Sequence, residues 1–428
     1  MQAASLRRRL PLAAAIVILV ATFGARADAA MQHRSTHRTA TAVAPCPVGQ
    51  TPRCPSKDPF YAAPRHIARL ANGAVIRTRA VSLAPPNAPL VASARTVIYK
   101  SVDTHSAAVA DVTTVLVPVT PWTSRRPRPL LSYQEAEDSL GRQCSPSYSM
   151  SNGTNGTNDN ELAENSIIQS ALAMGWLVAV PDYEGPDEQY VAGVQAGHAV
   201  LDGIRAVEHL RAYHLSHRNP VGLMGYSGGG LASAWASELK ASYAHALHIV
   251  GSAEGGVPSD IPAVMRQIDG GPFSGIEFAA SEGLSRAYPK ARVPAVLNAA
   301  GRAVFAKIAD ECIGTLTGQY ALKRLNGYTR HPHAFSLPRI RRLLRKVHLE
   351  KHTPRFPIYD YHSTNDELVP YAQDKTMVAY YCHHHATVEH VTYPTEHVSG
   401  IVAGFPGALR WLQGRFADKK APDNCPGH

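Results

Sequence analysis

Strand-like runs alternating with helix-like stretches, a tight glycine turn joining one such pair, and polar residues at the ends of the late strands predict an α/β fold. Its sheet should be mostly parallel and covered by helices on both faces. With 428 residues, 45% of them hydrophobic and only 18% charged, the chain can bury a large core and exceeds the usual size of one domain. A core carrying a sizeable insertion is therefore expected.

Residues 1–30 hold Arg7-Arg8-Arg9, an apolar stretch from Leu10 to Gly24, and Ala25-Arg26-Ala27-Asp28-Ala29 with A-x-A spacing. They read as a secretory signal peptide, since the apolar part is shorter than the roughly 20 residues of a membrane span. The arginines also permit twin-arginine export. Residues 31–55 are small, polar and aperiodic, and read as a flexible N-terminal arm.

Residues 56–257 read as the first part of the core. Ala94 to Lys100 and Asp111 to Thr120 suit an antiparallel sheet edge, while Pro129 to Gln134 and Trp176 to Tyr183 read as short buried strands. Between them, Ser145 to Asp159 reads as a surface loop and Asn160 to Met174 as a helix. The loop contains two formal glycosylation acceptors, Asn152-Gly153-Thr154 and Asn155-Gly156-Thr157. Gly193 to His214 is helical in pattern, Val221 to Met224 is a strand, Leu231 to Lys240 a helix and Ala246 to Ser252 a further strand. Residues 258–354 show helical periodicity with Pro/Gly breaks, the pattern of an inserted helical cap. Residues 355–428 resume the core, with strands predicted at Phe356 to His362 and Ala386 to Tyr393.

The chemistry centres on Gly225-Tyr226-Ser227-Gly228-Gly229, set between the strand at Val221 and the helix at Leu231. In a G-x-S-x-G turn the glycines let strand and helix approach while the serine hydroxyl stays exposed at the apex. A serine hydroxyl needs a base within hydrogen-bond reach and a carboxylate behind that base. The α/β-hydrolase order Ser…Asp…His places the acid after a late strand and the histidine after the last one. Asp366 and His397 occupy those positions, His397 in the loop after Pro394. Taken singly, Asp366 reads as the cap of the helix beside it, Asp360 is a rival acid within a strand, and His397 is one of 21 histidines. Their combined order implies a serine hydrolase with Ser227 as nucleophile. Gly228, following the nucleophile, is expected to donate its backbone N–H to an oxyanion hole.

Six cysteines fit an exported protein with disulfides. Cys46 and Cys54 can close a small loop, whereas Cys144, Cys312, Cys382 and Cys425 must pair over longer distances, and six cysteines allow 15 connectivities. No C-x-x-C pair occurs, and His383-His384-His385 reads as a solvated turn, so neither metal nor cofactor is expected. Removing the four arginines and one aspartate of residues 1–30 lowers the net charge only from +10 to +7. Ten Lys/Arg against Glu350 alone lie between Lys323 and Arg355, where Ile340, Leu343, Leu344 and Val347 recur at helical spacing. Such a basic amphipathic helix either packs on its own protein or lies on an anionic lipid surface. Without aromatic interleaving it gives no nucleic-acid signal. The sequence carries no signal for oligomeric state.

Pro181-Asp182-Tyr183-Glu184-Gly185-Pro186, Gly197-His198-Ala199-Val200-Leu201-Asp202-Gly203, Gly255-Gly256-Val257-Pro258-Ser259-Asp260 and Asn365-Asp366-Glu367-Leu368-Val369-Pro370 resemble, together with the serine turn, the secretory lipases. The resemblance spans most of the chain after about residue 55. It implies an α/β-hydrolase with a helical cap that hydrolyses fatty-acyl esters without a metal, using Ser227, Asp366 and His397. It further implies that Asp138 lines the oxyanion hole with Gly228, and that Cys144 pairs with Cys312, Cys382 with Cys425 and Cys46 with Cys54. Asp138 is chemically odd there, because an ionised carboxylate repels a developing oxyanion; it helps through its backbone N–H or when protonated. The expected substrate is a lipid or other ester, met at a lipid–water interface. A serine peptidase of the same fold and an exported binding protein without chemistry are the competing readings.

Overall fold

A computed structural model describes residues 54–152 and 161–426. The expected signal peptide of residues 1–30, most of the arm of residues 31–55, Cys46 and the segment 153–160 lie outside the described residues. One nine-stranded sheet organises the chain, in the order β1-β2-β3-β5-β4-β6-β7-β8-β9. Its first three strands, β1 (Val75–Val81), β2 (Val91–Val102) and β3 (Ala108–Pro118), pair antiparallel, and β3 pairs antiparallel with β5 (Leu177–Pro181). From β5 onward all neighbours are parallel: β4 (Leu130–Gln134), β6 (Val221–Tyr226), β7 (Ile249–Gly255), β8 (Ile358–Ser363) and β9 (Val388–Tyr393). The antiparallel edge and the covered parallel sheet are those expected from the alternation of strands with helices, and they make the α/β-hydrolase fold.

The helices are α1 (Pro146–Asn152), α2 (Glu161–Ala173), α3 (Gly193–Glu208) and α4 (Gly228–Tyr243), followed by five between β7 and β8. Those five are α5 (Ile261–Ile268), α6 (Ser274–Ala287), α7 (Ala299–Ile308), α8 (Ile313–Tyr320) and α9 (Pro338–Leu344). Two more, α10 (Tyr371–His383) and α11 (His397–Phe416), flank β9. One core packs Ala199, Leu201 and Ile204 of α3 and Leu231 and Trp235 of α4 on one sheet face, continuous with Phe278, Leu316 and Ile340 from the five inserted helices. On the opposite face Ile167, Ile168 and Leu172 of α2 meet Leu409, Trp411, Leu412 and Phe416 of α11 across Met224 and Tyr361. Parallel strands covered twice are apolar on both sides, which is why β4, β5 and β6 are buried at every residue.

Three expectations shift. The Ser145–Asp159 loop begins instead as helix α1, because Asp182 accepts hydrogen bonds from the Ser147 N–H (2.8 Å) and Oγ (2.5 Å) and Tyr148 and Met150 are buried. Its Ser/Asn composition gives no hint of that distant partner. Strand β7 runs three residues further than Ser252, ending at Gly255, because Ala253, Glu254 and Gly255 continue the ladder opposite Met224, Gly225 and Tyr226 of β6; one oxygen of buried Glu254 accepts from the Ser237 hydroxyl at 2.6 Å. The basic segment forms only a short helix, α9, with Ile340, Leu343 and Val347 buried and Arg341, Arg342, Arg345 and Lys346 exposed, so its apolar stripe packs on its own protein.

Candidate active site

Between β6 and α4, Ser227 adopts φ 55° and ψ −119°, a left-handed conformation that non-glycine residues hold only when the surroundings impose it. Here they do: Ser227 N–H donates to the Gly255 carbonyl at 2.8 Å, and its own carbonyl accepts from Leu231 N–H at 2.8 Å. A Cβ on Gly225 would overlap the Gly229 carbonyl, and one on Gly229 would overlap the Gln134 carbonyl, so both glycines are required by close approach.

His397 Nε2 lies 2.9 Å from Ser227 Oγ, and His397 Nδ1 lies 2.7 Å from Asp366 Oδ2. The three side chains, 31 and 170 residues apart along the chain, thus form one hydrogen-bonded line. His397 opens α11 rather than sitting in the preceding loop. Glu396 caps that helix by accepting from Val398 N–H (2.7 Å) and Ser399 N–H (2.8 Å), and Glu367 accepts from His397 N–H at 3.0 Å. Asp366 Oδ1 accepts from the Leu368 and Val369 N–H groups at 3.0 and 2.7 Å, closing a turn ahead of α10 rather than capping that helix. The rival Asp360 pairs with His390 instead (2.7 Å). Sequence reasoning missed Tyr226, whose hydroxyl donates to the His397 carbonyl at 2.7 Å and whose ring lies 5.1 Å from the imidazole. Its place beside the serine in the turn was the available signal.

On the other side of Ser227, Gly228 is the first residue of α4, where a backbone N–H has no intrahelical acceptor and the helix dipole favours negative charge. Asp138, at φ 42°, sets Oδ1 against Gly228 where a Cβ would otherwise stand, and that oxygen accepts no hydrogen bond. Burial raises its carboxyl to about 6, against the opposing pull of His397 and a hydrogen bond from Tyr190. Around it Glu137, Glu184 and Glu188 are buried together; burial and the neighbouring glutamates hold Glu137 and Glu184 well above the ordinary carboxylate range, and burial, against the pull of Arg142, raises Glu188 to about 8. Glu184 lies in the Asp-Tyr-Glu-Gly run that carries the family resemblance, but the sequence assigned a role to none of the three glutamates.

The inserted helices grip this acid-rich wall. Cys144 bonds to Cys312 at the start of α8, Leu140 N–H donates to Glu311 O at 3.0 Å, and Arg286 of α6 reaches the Leu140 and Glu188 carbonyls at 2.9 and 3.4 Å. Cys382 bonds to Cys425, so both longer pairings implied by the resemblance are present. Cys46 lies outside the described residues, and Cys54 sits 3.4 Å from Ser56 Oγ. His383, His384 and His385 are exposed at the end of α10. A recess walled by Asp138, Tyr183, Tyr190, Gly228 and Leu231 adjoins the serine turn, while a cleft of 680 Å³ opens among the inserted helices beside Met265, Glu277, Phe335 and Arg341.

The arrangement can deprotonate a hydroxyl and hold negative charge beside it. The sequence profile of the secretory lipases matches residues 157–424. Lipase A of Moesziomyces aphidis is 33% identical over 376 residues, covering 85% of this chain and 80% of that protein. A probable inactive lipase of Mycobacterium tuberculosis is also 33% identical, over 87% of this chain and 85% of its own. Among solved structures, Candida antarctica lipase A superposes with a TM-score of 0.81 at 32% identity, covering 87% of this chain and 88% of that one.

Proposed function

Since the chain belongs to the secretory lipase family, we propose that it hydrolyses fatty-acyl, triacylglycerol-type esters through an acyl-enzyme on Ser227. Membership makes it a secreted hydrolase of carboxylic esters. The observation that carries the mechanism is the line Ser227 Oγ–His397 Nε2 (2.9 Å) and His397 Nδ1–Asp366 Oδ2 (2.7 Å). His397 Nε2 takes the hydroxyl proton while Oγ bonds to the ester carbonyl carbon, and Asp366 fixes the Nδ1–H tautomer and stabilises the imidazolium. That imidazolium returns its proton to the departing alcohol as the ester C–O bond breaks. Water, activated by the same imidazole, then releases the acid and restores Ser227. The Gly228 N–H supplies one oxyanion donor, and Asp138, when protonated, supplies a second.

We further read residues 258–354 as a cap and the flanking segments, 56–257 and 355–428, as one catalytic core. The five helices of the insertion and their grip on the Asp138 wall support that division. The exposed cations Arg341, Arg342, Arg345 and Lys346 would face an anionic lipid–water interface, and salt-sensitive binding of the protein to anionic vesicles tests that role. One relative is named a probable inactive lipase, which keeps a non-catalytic reading in play. A fluorophosphonate probe decides: labelling that vanishes in Ser227→Ala, with p-nitrophenyl ester turnover vanishing alongside, supports the mechanism, and an unlabelled wild-type protein ends it.

A further inference from the structure

Next to the proposed triad acid lies a second buried cluster that the mechanism does not use. Asp360 on β8, Asp374 on α10 and His390 on β9 each bring a ligand-type atom to within 4.8 Å of the others. The register of β8 with β9 sets Asp360 directly opposite His390, so the backbone fixes that pair, and α10 brings Asp374 over it. Asp374 has no exposed surface and Asp360 is 1% exposed, while a fifth of the His390 side chain remains open at the sheet edge. Both oxygens of Asp374 and Oδ1 of Asp360 accept no hydrogen bond.

The orientation of His390 makes this more than a cluster of acids. Its Nδ1 lies 2.7 Å from Asp360 Oδ2, and donation there leaves Nε2 with its lone pair outward. That nitrogen faces Asp374 Oδ2 across 3.8 Å. Two acceptors then confront each other in a buried space beside further unsatisfied carboxylate oxygens, an arrangement that repels itself unless a cation or a shared proton lies between. A carboxylate behind a metal-binding imidazole is the usual device for fixing tautomer and ring orientation, and Asp360 stands in that place. His362 braces the opposite side, with Nδ1 3.3 Å from Asp374 Oδ1, off the angle of a hydrogen bond, and Nε2 3.0 Å from the Val369 carbonyl. Imidazole mixed with carboxylate suits zinc-class ions, at bond lengths of about 2.0–2.2 Å, better than the all-oxygen shells of calcium or magnesium.

We propose that His390 Nε2 and Asp374 bind one divalent transition-metal ion of the zinc class, with Asp360 holding the imidazole from behind and solvent completing the shell at the open sheet edge; the ion clamps β8, β9 and α10 together beside the turn that carries Asp366. The site is independent of the acyl-transfer mechanism, and it contains neither a cysteine nor a local ligand motif by which the chain alone would reveal it. The test uses tag-free secreted protein in which His383, His384 and His385 are alanines, removing the exposed adventitious ligands. Mass-spectrometric metal analysis after zinc loading and dialysis should find about one ion per chain. Cobalt substitution should give visible absorption bands, and metal-free protein should gain thermal stability on adding zinc but not magnesium or calcium. Asp374→Asn and His390→Phe should each abolish the stoichiometric ion. Zinc-loaded protein that retains only traces, or variants that keep the ion undiminished, would overturn the assignment; in the first case a shared proton and a charged His390 satisfy the cluster instead.

Discussion

On one side of Ser227 imidazoles alternate with carboxylates; on the other, acids face acids. His397 sits 2.7 Å from Asp366, whose second oxygen takes two backbone N–H groups, and His362 follows 3.5 Å beyond. Across the serine, Asp138 keeps an oxygen without any donor, and Glu137, Glu184 and Glu188 crowd behind it. Both regions are buried and each is stapled by one disulfide, Cys382–Cys425 on the first and Cys144–Cys312 on the second. The same residue type is therefore placed for different work: Asp366 is held by two backbone donors and an imidazole, whereas burial raises the Asp138 carboxyl to about 6.

The largest effects should come from the imidazole side. Ser227→Ala should abolish ester turnover and Asp366→Asn should reduce it by about 10⁴, with thermal melting unchanged in the serine variant. Measurable turnover in Ser227→Ala would move the nucleophile elsewhere.

Next in size is a contrast at Asp138. Asp138→Leu removes an oxyanion donor and should cost about 10²–10³ in kcat, whereas Asp138→Asn retains a neutral donor and should stay within about tenfold of wild type. Because the carboxyl is raised to about 6, wild-type kcat should decline as pH rises through that value, and Asp138→Asn should lack that decline. Equal pH profiles for the two proteins would leave only the Asp138 backbone N–H in the oxyanion hole.

Stability should show the same asymmetry more gently. Asp138 and Glu188 are raised from ordinary values of 3.8 and 4.5 to about 6 and 8, chiefly by burial. Between the ordinary and the raised value the folded chain holds protons that the unfolded chain has released. The stabilisation is complete below about pH 4 and is lost as pH rises through each raised value, at about 1.4 kcal/mol per pH unit for each group in its window. Melting temperature should consequently fall between pH 5 and 8, and Glu188→Gln should flatten the slope; a melting temperature that climbs over this range would contradict the protonated-acid wall.

Smaller still, breaking either disulfide with paired Cys→Ser changes should cost about 2–4 kcal/mol in denaturant unfolding. The Cys144–Cys312 variant should also alter acyl-chain preference, since that bond ties the inserted helices to the Asp138 wall. The Cys382–Cys425 variant should leave preference alone.

The two sides also differ in how far the sequence revealed them. Ser227, Asp366 and His397 could be found because each follows a strand whose apolar run is visible, and a parallel sheet brings all such strand ends to one edge. Glu137, Glu184 and Glu188 sit in loops without periodicity, and only the resemblance to a family singled out Asp138. Helix α1 was hidden for a related reason, since it depends on Asp182, 35 residues away.

Local pattern by itself determined the fold class, the strands and helices that flank the serine turn, and the turn that carries Ser227, because strand and helix periods and glycine sterics act between residues close in the chain. Tertiary structure alone decided which carboxyls burial raises above the ordinary range, which aspartate reaches His397, and that Asp360, Asp374 and His390 converge. Desolvation and Coulomb interactions depend on distance through space, and separations of up to 170 residues place those neighbours beyond any local signal.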